Sequence, residues 1–312
     1  MKIVVTTIML DESPEFIERW AKSALDADEM VLVDTGSTND AVSVAKDLGI
    51  TVHQILVKPF RFDVARNAGI ALLPDADLVV KLDVDEVLSE GWRDALEDAP
   101  PAQRYSYRYI WNYTDDGEPD IEFSADHTHA RYGWQWEHPV HESLRSNPRA
   151  AHDIVFVPGM TIEHRSDPTK SRGQYLELLD QAVVEDPLND RMAHYHAREL
   201  FFRGFWVASR EEFVRHLALP TSVWAAERAQ SYRYLAKMDT FPERWLLKAA
   251  AEDPSRREVW VDLMNLALER DNTLQAKGYA ARAWQIRERP GDYMSEAAAW
   301  DDFALRKVIE EE

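Results

Sequence analysis

Asp83 and Asp85 stand one residue apart at the end of the apolar run 78–82, with Glu86 directly behind them. Residues at i and i+2 of an extended chain point to the same side. Two carboxylates so placed repel each other unless a cation lies between them. Oxygen-only ligands suit magnesium or manganese, which commonly hold substrate phosphates as well. The chemistry expected of this pair is a divalent metal carrying a diphosphate. In so acidic a chain a D-x-D triplet also arises by chance, so its surroundings must decide.

The surroundings read as alternating strand and helix. Strands are expected over 2–9, 30–33, 51–57 and 78–82. Ser13 and Pro14 read as the N-cap and first turn of a helix with Phe16, Ile17, Trp20 and Ala24 on one face. A second helix runs through Val44 and Leu48 to a closing Gly49, and a third covers 65–73. Short strands separated by helices imply an α/β fold, a doubly wound, mostly parallel sheet. Ligands on such sheets bind at the carboxyl ends of the strands, where Asp34, Asp83 and Asp85 all fall. Residues 104–111 alternate like a strand. His127, His129, Trp134, Trp136, His138 and His141 then crowd together, in what reads as strands and long loops over the crevice. From Ser171 the pattern is helical. Pro187, Pro220, Pro254 and Pro290 are separated by 33, 34 and 36 residues, close to the tetratricopeptide period. Ala197, Gly204, Phe205, Trp260, Leu263, Ala267, Tyr279, Ala280 and Ala283 fit that pattern. The expected organisation is a domain over 1–170 and a helical, repeat-like domain over 171–312.

Bulk composition narrows the function classes. The 312 residues carry a net charge of −20, which repels nucleic acid and anionic membrane at long range. There is no cysteine, which removes disulfides and thiolate zinc sites. The opening strand-like run is too short for a signal peptide, and no segment reaches the ~18 apolar residues of a membrane span. A soluble, cytoplasmic protein is expected. Glycine is absent from residues 1–35, so the glycine-rich phosphate loops of dinucleotide-binding, P-loop and nucleotidyltransferase enzymes have no counterpart here.

Several ordered segments resemble family 2 glycosyltransferases. Residues 31–40, Val-Leu-Val-Asp-Thr-Gly-Ser-Thr-Asn-Asp, are similar to the family's VVDTGSTD segment. Phe62-Asp63-Val64-Ala65-Arg66-Asn67 is similar to F-s-x-A-R-N, and Leu82-Asp83-Val84-Asp85-Glu86 to L-D-A-D-E. Residues 136–142, ending in His141-Glu142, and 162–164, ending in His164, resemble segments of a bacterial branch that often ends in tetratricopeptide-like helices. The family usually carries Asn-Glu after the first strand, where this chain has Asp11-Glu12.

The resemblance implies a GT-A nucleotide-sugar fold and assigns roles. Thr7, Glu12, Asp34, Arg66, Asn67 and Asp83 would line the donor site, with Asp34 on uracil or ribose. Asp83 and Asp85 would hold Mn2+ or Mg2+, with His164 as third ligand and His141 its competitor. Glu142 would be the general base of an inverting transfer, with Asp126 and Glu137 as alternatives. Glu86 would orient Arg66 through an ion pair or start a helix, and Arg61 would be solvated. Ser37 or Thr38 would cap the second helix, freeing Asp34. Trp134 and Trp136 read chiefly as core, with at most one stacking on a sugar. The function expected is transfer of a hexose, glucose from UDP-glucose, to a saccharide, peptide or modified-nucleobase hydroxyl, with a protein partner on the helical region. The rival reading is a degenerate transferase scaffold whose repeats bind a protein partner. Intact Asp83 and Asp85 favour the enzyme.

Overall fold

The computed structural model describes residues 1–73, 75–146, 153–167, 173–290 and 293–310. The expected turn at Pro168, the helical start at Ser171 and the boundary at 170/171 lie outside them. The chain forms two compact units: residues 1–117 with 124–172, and residues 118–123 with 173–312.

The first unit begins β1 (Ile3–Met9), α1 (Pro14–Ser23), β2 (Glu29–Asp34), α2 (Ala41–Asp47), β3 (Thr51–Gln54), α3 (Phe62–Ala71) and β4 (Leu78–Lys81). It continues through β5 (Glu86–Leu88), α4 (Trp92–Asp98), β6 (Arg104–Tyr113), β7 (Pro119–Ala130), β8 (Trp134–Glu137), β9 (Ser143–Ser146) and β10 (Ile154–His164). The main sheet runs β3-β2-β1-β4-β7-β6-β10-β5. Its β3-β2-β1-β4 portion is parallel, and β4 meets β7 antiparallel. The sheet is therefore mixed, with one parallel half. Val4, Val31, Val33 and Val79 form a buried cluster on it. Trp20, fully buried on α1, donates from Nε1 to the Leu82 carbonyl at 2.7 Å, which fixes the chain as it leaves β4. Gly69 lets α3 lie close on β2: a Cβ there would stand 2.9 Å from Val33 Cγ2.

Local details depart from expectation. Asn39, not Ser37 or Thr38, accepts from the first helical N–H of α2, at 3.1 Å from Ala41. Ser37 Oγ instead accepts from the Asp11 N–H. Asp11 has a φ of 50° and its Oδ1 accepts from Thr38 N at 2.6 Å, tying two strand-end loops together. Arg61 is bidentate on Asp63, at 3.0 and 2.9 Å, rather than solvated.

The second unit is a series of helices: α5 (Tyr175–Glu185), α6 (Asp190–Phe202), α7 (Trp206–Ala218), α8 (Ala225–Lys237), α9 (Glu243–Glu252), α10 (Arg257–Glu269) and α11 (Thr273–Gln285). β11 (Ser295–Glu296), a 3-10 turn at Ala297–Trp300 and α12 (Asp302–Glu310) follow. Pro187, Pro220 and Pro254 fall in the loops before α6, α8 and α10, where a proline stops one helix and costs the next nothing. Small residues let paired helices approach: Ala236 packs with Ala249, and Ala267 with Ala280. Gly204, at φ 78°, turns the chain between α6 and α7, whereas Phe205 is exposed rather than packed. β11 pairs with Glu122 and Ile121 of β7, the part of that strand assigned to this unit. Among the described residues, no helix is long and apolar enough to cross a membrane.

Candidate functional site

The parallel strands deliver Thr7, Asp34, Lys81 and Asp83 to their carboxyl ends, as the alternating pattern implied. The D-x-D segment itself is not extended. Glu86 N donates to the Asp83 carbonyl at 2.8 Å, closing a turn that sends the two carboxylates to different neighbours. Asp83 accepts from Thr7 Oγ1 at 2.8 Å, Arg66 Nη2 at 3.0 Å and Lys81 Nζ at 2.6 Å. Burial alone would push its carboxyl up; Arg66 and Lys81 outweigh that and hold it well below the usual range. Asp85 faces His164 instead, with Oδ2 3.3 Å from Nε2.

Arg66 is the hub of the site. It is buried on α3, and it binds Asp83, Thr7 Oγ1 at 3.2 Å and the Glu142 carboxylate through Nε. Its charge is kept because Asp83 and Glu142 overcome the cost of burial. The Trp136 ring lies 5.4 Å from the guanidinium, a cation–π distance. Trp136 is itself buried against Ile70 and Leu144, so it fills core, as its residue type favours.

Glu86 does not orient Arg66. It is in strand β5, where its carboxylate accepts from Tyr109 OH at 2.7 Å and from Asp83 N at 2.7 Å and pairs with Lys81 at 3.4 Å. Burial pushes Glu86 up, with Asp83 adding to the effect against Lys81. The Tyr109 hydroxyl is pushed well up by burial and by the charge of Glu86. Lys81 and Tyr109 were invisible in the sequence. Lys81 sat inside a run read as apolar, and its role shows only once Asp83 and Glu86 fold back around it.

Asn67 is committed elsewhere. Its amide donates to the Trp136 carbonyl at 2.8 Å and accepts from the Trp136 N–H at 2.9 Å, pinning β8 to α3. Asp34 is fully buried, and accepts from Ser37 N at 2.9 Å and Gln54 Nε2 at 3.0 Å. Burial raises its carboxyl, and these bonds more than reverse the effect. Glu12 is buried, with its carbonyl accepting from Asn39 at 3.1 Å. Asp126 is paired with Arg104 at 2.8 Å and Glu137 with Arg145 at 3.5 Å. Glu142 lies in the β8–β9 connection, where His138 and His141 have φ of 83° and 50°. Such backbone in residues other than glycine costs energy and clusters at functional sites.

His164 ends β10 and pairs in register with Glu86. Its Nδ1–H donates to the Trp111 carbonyl at 3.0 Å, and the Trp111 ring stacks on the imidazole at 4.4 Å. In the neutral ring this leaves the Nε2 lone pair facing Asp85, the orientation seen when histidine ligates a metal, whereas in the protonated ring Nε2–H donates to Asp85. Burial lowers the imidazole's pKa and Asp85 more than restores it, so the net direction is up.

No family model matches the chain. Over 98 residues the chain is 34% identical to the uncharacterized glycosyltransferase RP128 of Rickettsia prowazekii (strain Madrid E). The match covers 31% of this chain and 32% of that protein, so it spans about a third of the relative's length. Among solved structures, the chain is similar to glucosyl-3-phosphoglycerate synthase from Mycobacterium tuberculosis in complex with Mn2+, uridine diphosphate and glucosyl-3-phosphoglycerate. That similarity covers 58% of this chain and 80% of that one, at 18% identity and a TM-score of 0.35. Similarity to the MamA protein covers 43% and 67%, at 11% identity and a TM-score of 0.33.

Proposed function

We propose that the chain is a metal-dependent, inverting glycosyltransferase that moves glucose from UDP-glucose to a hydroxyl-bearing acceptor, with residues 1–170 as the transferase domain and 171–312 as the helical domain. The observation that carries this reading is the arrangement at the strand ends. Asp83 is neutralised by Arg66 and Lys81, while beside it Asp85 and His164 face each other at 3.3 Å. Two donors that repel in their neutral-imidazole, charged-carboxylate forms gain from a cation between them, and an O/N set of this kind fits Mn2+ or Mg2+. When bound, the metal neutralises the donor diphosphate and stabilises the leaving nucleotide.

The protein's own residues do the rest. Asp34, rigidly held by Ser37 and Gln54, accepts from uracil or ribose. Asp83 lies beside the ribose, with Thr7, Glu12 and Asn67 supporting the surrounding loops. Glu142, positioned by Arg66 through Oε1, offers Oε2 to the acceptor. The acceptor oxygen attacks the anomeric carbon as the bond to the diphosphate breaks, and its proton passes to Glu142.

Calorimetric titration of UDP and UDP-glucose, with and without Mn2+, tests this on the wild-type chain and on Asp85→Ala. Metal-dependent binding that is lost in the variant is expected. Absence of binding by any nucleotide diphosphate with metal present would sink the transferase reading and leave the scaffold with partner-binding repeats.

A further inference from the structure

The helical unit holds a buried polar cluster that the transferase reading does not use. His194 on α6, His216 on α7 and Glu227 on α8 are all buried, and one donor atom from each lies within 4.8 Å of the others. We propose that these three residues form a zinc site that clasps α6, α7 and α8. This inference is independent of the function assigned to the sheet unit.

Ser231 is the first support. Its Oγ lies 2.8 Å from His194 Nδ1 and 3.0 Å from His216 Nδ1. A hydroxyl oxygen has lone pairs to accept from both Nδ1–H groups. Each imidazole then presents a bare Nε2, the second-sphere arrangement that metal-binding histidines use.

Distances supply the second support. His216 Nε2 lies 3.4 Å from Glu227 Oε1. Charge-assisted N–H···O bonds run about 2.7–2.9 Å, so this is a poor hydrogen bond. Two ligands on a tetrahedral zinc with bonds of ~2.05 Å stand about 3.3 Å apart. Hydroxyls also face the Nε2 atoms, Ser222 Oγ at 3.1 Å from His216 and Tyr293 OH at 3.3 Å from His194. The Nδ1 contacts are the shorter ones for each ring, by 0.5 Å at His194 and 0.1 Å at His216. A metal would draw together donor atoms that now lie within 4.8 Å of one another and would displace the Ser222 and Tyr293 hydroxyls from the two Nε2 atoms. Two imidazoles and a carboxylate, with a hydroxyl or water as fourth ligand, are a zinc donor set.

The competing arrangement is a metal-free relay, Tyr293 to His194 to Ser231 to His216 to Glu227. The test uses the full chain carrying Asp85→Ala, which removes the other candidate metal pair. The protein is stripped with chelator and titrated with Zn2+, and bound zinc is counted by mass spectrometry. One equivalent per chain is expected, with a raised melting temperature. His216→Gln in that background should weaken zinc at least ~100-fold, and Ser231→Ala, which touches no metal, by ~10–100-fold. Should His216→Gln fail to fold, Co2+ replaces Zn2+ in the Asp85→Ala chain, where visible absorption of tetrahedral intensity is expected. No zinc retained, zinc held equally by a folded His216→Gln, or a cobalt form without that absorption would each overturn the site in favour of the relay.

Discussion

The two units handle buried charge differently. At the strand ends of the sheet unit, the fixed cations paired with Asp83, Glu86 and Glu142 among the described residues are Arg66 and Lys81, two cations against four carboxylates once Asp85 is included. In the helical unit, arginines are answered in place: Arg233 by Asp262 and Glu296, Arg228 by Glu252, Arg257 by Asp302. Those partners are a quarter to a half exposed, and the bonds join one helix to another or to the segment after them. Charge that pairs off locally serves packing. Charge gathered from three segments, around residues 66, 81–86 and 142, and left in excess invites a cation from outside.

The contrast can be broken by removing one cation from each unit. Arg66→Met should cost ~3–5 kcal/mol in urea unfolding, because it removes the buried guanidinium paired with Glu142 and leaves Asp83 with Lys81 and Thr7 alone. Adding Asp83→Asn should recover part of that, and a loss under ~1 kcal/mol would show that other groups carry the compensation. Arg233→Met should cost less, ~2 kcal/mol, since Asp262 and Glu296 are 29% and 42% exposed and can be hydrated instead. Equal costs would erase the distinction between the units.

A pH scan sharpens it further. Burial would raise the Glu212 carboxyl, but bonds from Arg215 and His196 lower it from an ordinary 4.5 to about 2. A carboxyl depressed on folding contributes stability that is present above pH 4.5 and lost as pH falls toward 2. Stability of the order of 2 kcal/mol is expected to disappear over that window. Glu212→Gln should flatten the wild-type slope there, as followed by helical circular dichroism. An unchanged slope would assign the acid sensitivity to the sheet site instead.

The strands and the acids at their ends were legible because both are local signals. β1, β2 and β4 are short apolar runs, and Asp34, Asp83 and Asp85 follow directly from where those runs stop. Helix pairing was legible from proline spacing, since the prolines fall between repeats. What stayed hidden was long-range. The β6–β10 pairing joins residues such as Tyr109 and Ile162, and nothing in either segment names the other. Lys81 looked like a flaw in an apolar strand. Asn67 looked like a ligand-binding amide, yet its spacing cannot reveal that the Trp136 backbone takes both of its ends.

Strand β7 has a consequence for modularity. Its first residues, 119–123, belong to the helical unit, while 124–130 belong to the sheet unit. The helical unit is thus discontinuous along the gene, although its helices are contiguous. Cutting the chain once, near residue 172, does not yield two complete parts: the helical fragment loses Ile121 and Glu122, the partners of β11 and of Arg289. A recombination event that swapped in new repeats at that single point would leave an unpaired strand on the incoming part. Exchange of the helical unit between proteins therefore needs two matched breakpoints, which favours its inheritance together with the sheet it interrupts.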